Sequence, residues 1–407
     1  MTLTSTRHDN STSHDEYSAS PLIDVIKTGP LPCVIEYPDG RQERLSSDPL
    51  FTVRFVTPDG LETAPTQLAV ATAYMHGDID VTGDFEQVMA ARDILPSGNT
   101  AQQAAKFLWD LIIASPTTVN RKAIDSHYTL GDDFYHTFID SHYRFYSQCI
   151  FDSPDDTLEQ AAEHKLERMY SALQLGPGDR LLDIGGGWGG VGLYCAPRGV
   201  HVTAVTLAED SAAYMRDLYR RRDLDVDVVH TDYLDYQPDR PFDHIVMYGV
   251  IEHLPNYAQF CAKTWELLRP GGRLYLDGSA SIEKYAMTGF TRKYIWPGHH
   301  TFMSLPAIQH ALLRHGFDIL ETRNETNDYA LTMRHWATRF DAARPDIEAR
   351  WGQETYRKFR IYLWAGAHAL RTNRLQAYHV LAERRDDPGP RPSLITRGAA
   401  SIASAIA

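Results

Sequence analysis

The alternation of apolar and polar positions divides the chain into short strand-like runs separated by helical patterns. From residue 180 onward, apolar runs typical of buried strands occur in LLDI, HVTAVTL, VDVVH, FDHIVMY, LYLDG, GFDILETRN and DYALTMRHWATRF. Strands that alternate with helices predict an α/β domain with a parallel sheet and helices on both of its faces.

The first quarter of the chain has a different pattern. CVIEYPDGRQERL predicts two strands joined by a Pro-Asp-Gly turn, and FTVRFVTPDGL predicts a second hairpin of the same kind. We therefore predict a small α/β domain over residues 21–95, preceded by a polar, disordered tail over residues 1–20. Because Pro, Ser, Gly and Asn cluster at residues 95–102, we place a domain boundary there. We assign residues 96–125 to a helical linker and residues 386–407 to a flexible tail.

Composition excludes several classes of protein. The chain has 407 residues, with 40 Lys and Arg against 53 Asp and Glu, a net charge of −13. This charge argues against a nucleic-acid-binding protein, because no overall positive field attracts phosphate. The four cysteines have no C-x-x-C spacing, which argues against a disulfide framework or a metal site and suits a reducing cytoplasm. No apolar run reaches the roughly 20 residues of a membrane-spanning helix.

The ten residues 181–190, LLDIGGGWGG, carry the strongest sign of a ligand site. Five glycines follow a predicted buried strand, where they allow a sharp turn and leave no Cβ between backbone and ligand. A helical stretch comes next, and this order of strand, loop and helix is typical of a nucleotide-type site. Because no Gly-Lys-Ser/Thr follows, the pattern argues against a triphosphate. Asp183, directly before the loop, strengthens the prediction of a ligand site.

Polar residues collect at the predicted carboxyl ends of five strands, where ligands bind in parallel α/β sheets. They are Asp183, Thr206, Asp232, Glu252 and Asp277. An aromatic stretch at residues 126–151 adds eight Tyr or Phe side chains. These predict an apolar wall for a ligand pocket, packing between two domains, or both.

Nine sequence blocks resemble, in the same order, those of class I S-adenosylmethionine-dependent methyltransferases, and more narrowly the cyclopropane-fatty-acyl-phospholipid and mycolic acid cyclopropane synthases. The blocks are YTLGDDFYHTFID, YSQCIF, TLEQAAEHKLERM, LLDIGGGWGG, VTAVTL, YGVIEHL, LLRPGGRLYL, NDYALTMRHW and GQETYRKFRIYLWAG. They cover residues 126–385, and LAVATAYMHGDIDVTGDFEQVM resembles the N-terminal, lipid-binding-like domain of longer members. The resemblance implies a Rossmann-like seven-stranded sheet and S-adenosylmethionine as cofactor.

The resemblance also implies roles for individual positions. It places Tyr146 and Ser147 beside the methionine part of the cofactor, and the loop glycines Gly185, Gly187 and Gly189 at its methionine and ribose. It places Thr206 and Leu207 on the ribose side and Asp232 and Tyr233 on the adenine side. Glu252 and Tyr329 match the family's active-site glutamate and tyrosine. From the residues alone, Asp232 and Glu252 would also fit helix caps, and Tyr329 a core position in a strand.

Two positions depart from the family pattern. Gln148 follows the Tyr-Ser pair where relatives have a cysteine, and Asp277 stands where they have a histidine on the fifth strand. In those relatives the two residues help to bind a bicarbonate ion that accepts a proton. Because a carboxylate at Asp277 would repel that anion, we do not expect bicarbonate here. We predict instead that Asp277, beside Glu252, is a base or stabilises a cation; capping of the following GSAS turn is the alternative.

The resemblance implies that the protein adds a methyl-derived carbon across the double bond of an unsaturated phospholipid acyl chain, giving a cyclopropane. Alternatives are a methylene- or methyl-branched product, C-methylation of an isoprenoid or polyketide, and a binding protein without activity. A phospholipid substrate implies a cytoplasmic protein that associates peripherally with membranes. Residues 339–374 hold eight basic against four acidic residues, which predicts either a basic docking face or a solvated helix surface. A second copy of the chain, in a homodimer, is a further candidate partner.

Overall fold

The structure is a computed structural model, and it describes residues 20–96, 130–254, 256–282, 287–296 and 301–386. The chain divides into two compact units. Of the described residues, 20–96, 288–295 and 340–368 belong to the first unit and the others to the second. The predicted linker and C-terminal tail lie outside the described residues, apart from Pro96 and Asp386. So does the N-terminal tail, apart from Ser20, which caps the first helix.

The first unit contains a four-stranded sheet in the order β2-β1-β3-β4. Its strands are β1 (Cys33–Glu36), β2 (Gln42–Arg44), β3 (Phe51–Phe55) and β4 (Ile79–Gly83). The antiparallel pair β1–β2 confirms the first predicted hairpin. The second predicted hairpin is wrong, because β3 pairs parallel with β1 and is followed by a short helix that Thr57 caps. The helices of the first unit that precede the predicted linker are α1 (Pro21–Thr28), α2 (Pro58–Leu61), α3 (Gln67–His76) and α4 (Phe85–Ala91).

Two of the eight basic residues at positions 339–374 do not belong to the predicted docking face. Arg357 and Arg360 are only 5% and 9% exposed, inside the first unit. Arg357 donates to the Tyr74 carbonyl oxygen at 2.7 Å and contacts Asp80 at 3.2 Å, and Arg360 pairs with Asp341 at 2.9 Å. These guanidinium groups are therefore committed to internal carboxylates and carbonyls. The sequence pattern did not indicate this burial, because the acidic partners Asp80 and Asp341 lie 277 and 19 residues away along the chain.

The second unit is built on the predicted seven-stranded sheet, in the order β10-β11-β9-β8-β5-β6-β7. Its strands are β5 (Arg180–Ile184), β6 (His201–Thr206), β7 (Val226–His230), β8 (Phe242–Tyr248), β9 (Leu268–Ala280), β10 (Phe317–Asn324) and β11 (Gln376–Arg384). The strands from β9 to β7 are parallel, whereas β11 runs antiparallel to both of its neighbours. The structure thus confirms the α/β class.

The helices of the second unit alternate with the strands of this sheet. They are α5 (Asp132–Tyr135), α6 (Leu158–Leu173), α7 (Gly190–Cys195), α8 (Glu209–Arg221), α9 (Tyr257–Leu267), α10 (Leu305–Arg314) and α11 (Thr326–Ala342), which ends in the first unit. Helix α12 (Arg344–Trp351) and most of α13 (Gln353–Arg371) also belong to the first unit. At the start of α6, Thr157 and Gln160 form a capping box, the motif typical of a Thr followed three residues later by Gln.

Two strand predictions near the C-terminus need correction. The run DYALTMRHWATRF is not a strand but part of α11, so Tyr329 lies on a helix. Its buried residues Met333, Trp336 and Ala337 recur every three to four positions, which is the helical period. Strand β9 extends to Ala280, three residues beyond Asp277. The seventh strand is β11, in a segment for which the sequence pattern made no prediction.

Among the described residues, no helix combines the length and the apolar character needed to cross a membrane.

Candidate active site

The second unit contains a cavity of about 950 Å³ at the carboxyl end of its parallel strands. Nine of the ten predicted cofactor-binding residues line it: Tyr146, Ser147, Asp183, Gly185, Gly187, Thr206, Leu207, Asp232 and Tyr233. They come from four separate stretches of chain, which the parallel topology brings to one edge of the sheet. Gly189 lies just behind this wall as the N-cap of α7. The structure therefore assembles the predicted set around one space large enough for a nucleoside-type ligand.

The glycine loop (residues 185–190) forms one side of the cavity, and its glycines have different reasons to be glycine. Gly185, at φ +99°, lies against Val250, whose side chain a Cβ would overlap. Gly189, at φ +88°, leaves room for the Tyr219 hydroxyl, 2.8 Å from where its Cβ would lie. Gly187, at φ +52°, has no atom within 4 Å of a Cβ position, so its Cα faces open space. The loop thus offers bare backbone to a ligand.

The polar residues of the cavity divide into occupied and available groups. Asp232 accepts a hydrogen bond from the Leu234 amide at 2.9 Å, and the Tyr233 hydroxyl donates to the Phe260 carbonyl oxygen at 3.1 Å. Asp183 differs, because its buried Oδ2 has no hydrogen-bond partner in the described part of the chain. Burial raises the pKa of Asp183 to about 7. An unpartnered carboxylate oxygen and a bare glycine loop fit a ligand that brings its own donors, as S-adenosylmethionine does.

Aromatic side chains form a second side of the site. The Tyr146 ring stacks on Trp336 with centroids 5.2 Å apart, and Tyr329 meets Trp336 edge-on at 6.2 Å. Tyr135 contacts both Tyr146 and Trp188, at 5.2 Å and 5.6 Å. We call Tyr135, Tyr146, Trp188, Tyr329 and Trp336 the aromatic wall; of these, Tyr146 and Trp188 line the cavity. Tyr143 and Phe145 line it as well, so part of the aromatic stretch borders the pocket. In addition, Trp188 Nε1 donates to Asp132 Oδ1 at 2.7 Å, which fastens α5 to the glycine loop.

Glu252 lies in a 3₁₀ turn after β8, between the cavity-lining residues Val250 and His253. Its Oε1 accepts hydrogen bonds from the Ser279 backbone N–H and hydroxyl, both at 2.7 Å. Its buried Oε2 has no hydrogen-bond partner among the described residues. Burial raises the pKa of Glu252 to about 7, although the Ser279 bonds oppose this shift. The carboxyl group is therefore held in place with one oxygen available, at a pKa suited to proton transfer near neutral pH.

Asp277 has a partner that the sequence analysis missed. Lys165 of α6, only 1% exposed, donates to Asp277 Oδ2 at 2.6 Å, and the Gly249 amide donates to Oδ1 at 2.9 Å. Burial raises the pKa of Asp277 to about 6, while the Lys165 charge opposes the shift. The expectation that Asp277 is a free base needs revision, because both carboxylate oxygens are engaged. Its bonds to Lys165 and Gly249 also replace the predicted cap of the GSAS turn.

Gln148 belongs to the same buried group of side chains. Its Nε2 donates to Glu325 at 3.2 Å, and Glu325 contacts His379 Nδ1 at 2.6 Å. We call this group the buried polar cluster; it comprises Gln148, Lys165, Glu252, Asp277, Glu325 and His379, none more than 4% exposed. The four residues at the family's active-site positions are Gln148, Glu252, Asp277 and Tyr329, and none of them lines the 950 Å³ cavity in the described structure. They lie behind the residues that do, and Tyr329 reaches Tyr146 through Trp336.

A comparison with known families shows which family the chain belongs to. A family model described as mycolic acid cyclopropane synthetase matches residues 116–380. The chain belongs to this family. Like its relatives it is an S-adenosylmethionine-dependent methyltransferase, and the family comprises enzymes that methylate lipids.

Two similar proteins and one solved structure illustrate the relationship. "Probable fatty acid methyltransferase" of Mycobacterium tuberculosis is 29% identical over 374 residues, which cover 82% of this chain and 87% of that protein. Cyclopropane-fatty-acyl-phospholipid synthase of Escherichia coli K12 is 33% identical over 270 residues, 65% of this chain and 68% of that protein. The crystal structure of mycolic acid cyclopropane synthase CmaA1, complexed with SAH and CTAB, has a TM-score of 0.61 at 25% identity. It covers 65% of this chain and 98% of CmaA1.

Proposed function

We propose that this family member adds a methyl-derived carbon across the double bond of an unsaturated fatty acyl chain in phospholipid, with a cyclopropane as product. The observation that carries the proposal is Glu252, a buried carboxyl with one unpartnered oxygen next to the cofactor cavity. Ring formation requires a group that removes a proton from the added carbon. Glu252 is the residue that we assign to this role.

The aromatic wall supports the same chemistry. Bound S-adenosylmethionine supplies an electrophilic methyl group, and an alkene that takes it up becomes a cation. Tyr146 and Trp188 of this wall line the cavity, where aromatic rings favour a nearby positive charge and exclude water that would quench it. Trp336 stacks on Tyr146 at 5.2 Å and is not a lining residue. We propose that Tyr329, edge-on to Trp336, fixes this wall from behind.

Glu252 is better suited to accept the proton than Asp277. A general base must have an available oxygen and a pKa near the working pH. Glu252 meets both conditions, whereas the Asp277 oxygens are bonded to Lys165 and Gly249. Because Gln148 is bonded to Glu325 and Asp277 is anionic beside it, we propose that no bicarbonate ion takes part.

A methylene-branched product is the second candidate, and the altered pair Gln148 and Asp277 favours it. The same cation would first undergo a hydride shift and then lose a proton from the added carbon, again to Glu252. In either case the substrate is part of a bilayer, so we propose that the protein meets it as a peripheral protein at the membrane surface.

Turnover on defined vesicles tests the proposed substrate. Purified protein is incubated with S-adenosylmethionine and vesicles of monounsaturated phosphatidylglycerol, with fully saturated vesicles as the matched control. We expect S-adenosylhomocysteine to accumulate only with the unsaturated lipid, together with acyl chains one carbon heavier. Equal turnover on both vesicles, or binding of S-adenosylmethionine without turnover on unsaturated lipid, would contradict the proposal.

A further inference from the structure

Lys165 is the most unusual residue of the second unit, because a lysine rarely loses all contact with water. Its ammonium group donates to Ser147 Oγ at 2.8 Å, the Gln148 carbonyl oxygen at 2.8 Å and Asp277 Oδ2 at 2.6 Å. All three donor positions of an ammonium are thus used. Burial of a charged ammonium group costs free energy, and its ion pair and hydrogen bonds must offset that cost.

These bonds reach two walls of the cofactor cavity. Ser147 lines the cavity directly, and Lys165 fixes both its side chain and the next carbonyl group. On the other side, Asp277 holds the amide of Gly249, which also lines the cavity. The Lys165–Asp277 pair therefore ties together two segments that are more than 100 residues apart in the chain.

The pair also places a charge directly behind the cavity. The Lys165 Nζ lies 3.9 Å from the centre of the Tyr248 ring and 5.1 Å from that of Phe145. Both rings line the cavity, so the ammonium is one side chain away from the ligand space. Only Asp277 is close enough to form an ion pair with it in the described structure.

We propose that Lys165 and Asp277 are positioning residues that hold the methionine end of the cofactor site while keeping its wall electrically neutral. The proposal rests on the placement of that end of the cofactor beside Ser147. S-Adenosylmethionine carries a positive sulfonium, whereas S-adenosylhomocysteine has a neutral thioether. A lysine without Asp277 would therefore repel the cofactor but not the product. The Lys165–Asp277 pair therefore sets the ratio of the Kd values for S-adenosylmethionine and S-adenosylhomocysteine.

Binding affinities of the two ligands test this inference without any turnover. Titration calorimetry at pH 7.5, well above the Asp277 pKa of about 6, gives Kd values for both ligands with the Asp277 carboxylate ionised in the wild type. For Asp277→Asn we expect the binding of S-adenosylmethionine to weaken relative to that of S-adenosylhomocysteine by at least about tenfold, as for one uncompensated charge within about 12 Å at an effective dielectric constant of about 20. The Asn side chain retains an acceptor for the Gly249 amide. Asp239→Asn, which removes an exposed ion-pair carboxylate, is the matched control and should leave the ratio unchanged.

A double variant separates charge from position and avoids a lone buried charge. In Lys165→Met/Asp277→Asn the wall is neutral again, so we expect the wild-type ratio of the two Kd values. Both ligands should nevertheless bind several-fold more weakly, because Ser147 and the Gln148 carbonyl have lost their donor. If Asp277→Asn weakens both ligands equally, or if the double variant binds both as tightly as the wild type, the inference is wrong. Failure of catalysis with normal Kd values would instead contradict the proposed function alone.

Discussion

The glycine loop and the buried polar cluster form two regions of one site, yet they are constructed differently. The glycine loop consists of consecutive residues, and its backbone faces the cavity directly, as at Gly187. The buried polar cluster consists of side chains from six separate places in the sequence, which meet behind the cavity wall. Bare backbone suits a ligand that many enzymes share, whereas interlocked side chains can differ from one relative to another.

This difference indicates where the chemistry of the protein is decided. A loop of glycines binds S-adenosylmethionine whatever the acceptor is, so it cannot select a product. The cluster holds the proton acceptor that we propose, and Gln148 and Asp277 depart there from the pattern of related synthases. Substitution of Glu252 in the cluster should therefore change turnover, whereas substitutions in the loop, like those of the Lys165–Asp277 pair, should change cofactor affinity.

The largest effect is expected for Glu252→Gln in the cluster. Loss of a general base lowers kcat by about 100- to 10,000-fold, while the Gln side chain still accepts from Ser279 and should preserve the fold. Cofactor Kd should stay within about threefold, since Glu252 does not line the cavity. Glu266→Gln, at a half-exposed glutamate of α9, is the matched control.

The same variant gives a pH signature. A base must be deprotonated, so kcat of the wild type at saturating cofactor should fall as the pH drops below about 7, the raised pKa of Glu252. His253 does not explain such a decrease, because burial lowers its pKa to about 4. The residual activity of Glu252→Gln should lack this decrease. If kcat of Glu252→Gln decreases at low pH as it does in the wild type, Glu252 is not the base.

A smaller effect, on cofactor binding and not on kcat, is expected for substitutions in the glycine loop. Gly187→Ala places a methyl group in open space at φ +52°, a left-handed conformation that costs about 1–2 kcal/mol for a residue with a Cβ. It should weaken cofactor binding about tenfold with little change in kcat. Gly185→Ala, its matched partner, would in addition overlap Val250, so we expect a clearly lower Tm. Equal losses of Tm in both variants would contradict the assignment of Gly187 to the ligand.

Local patterns explain why one region could be predicted from sequence and the other could not. The glycine loop and the capping box of Thr157 and Gln160 each occupy a few consecutive residues, so their spacing alone identifies them. The strand run at Tyr329 was misassigned because aromatic residues favour strands, and only the three-to-four spacing of Met333 and Trp336 indicates a helix. Periodicity and composition predicted the parallel strands of the sheet, but they did not predict the antiparallel strand β11.

Lys165 could have been noticed, because it falls on the apolar face of α6 with Ala161, Ala162 and Met169. A lysine in that position predicts a buried partner, but the sequence does not say which. Asp277 lies 112 residues away, and Glu325 and His379 reach Gln148 only because β11 joins the sheet beside β9. Such contacts depend on the complete topology.

The origin of the hydrogen atoms on the added carbon tests the central claim most directly. The protein is incubated with S-adenosylmethionine that carries a trideuterated methyl group and with monounsaturated phospholipid vesicles. The acyl chains are then released, and their masses are measured by mass spectrometry. If the added carbon loses a proton to Glu252, the product gains one carbon that keeps two of the three deuterium atoms. A product that keeps all three, or the absence of label from the acyl chains, would contradict the account.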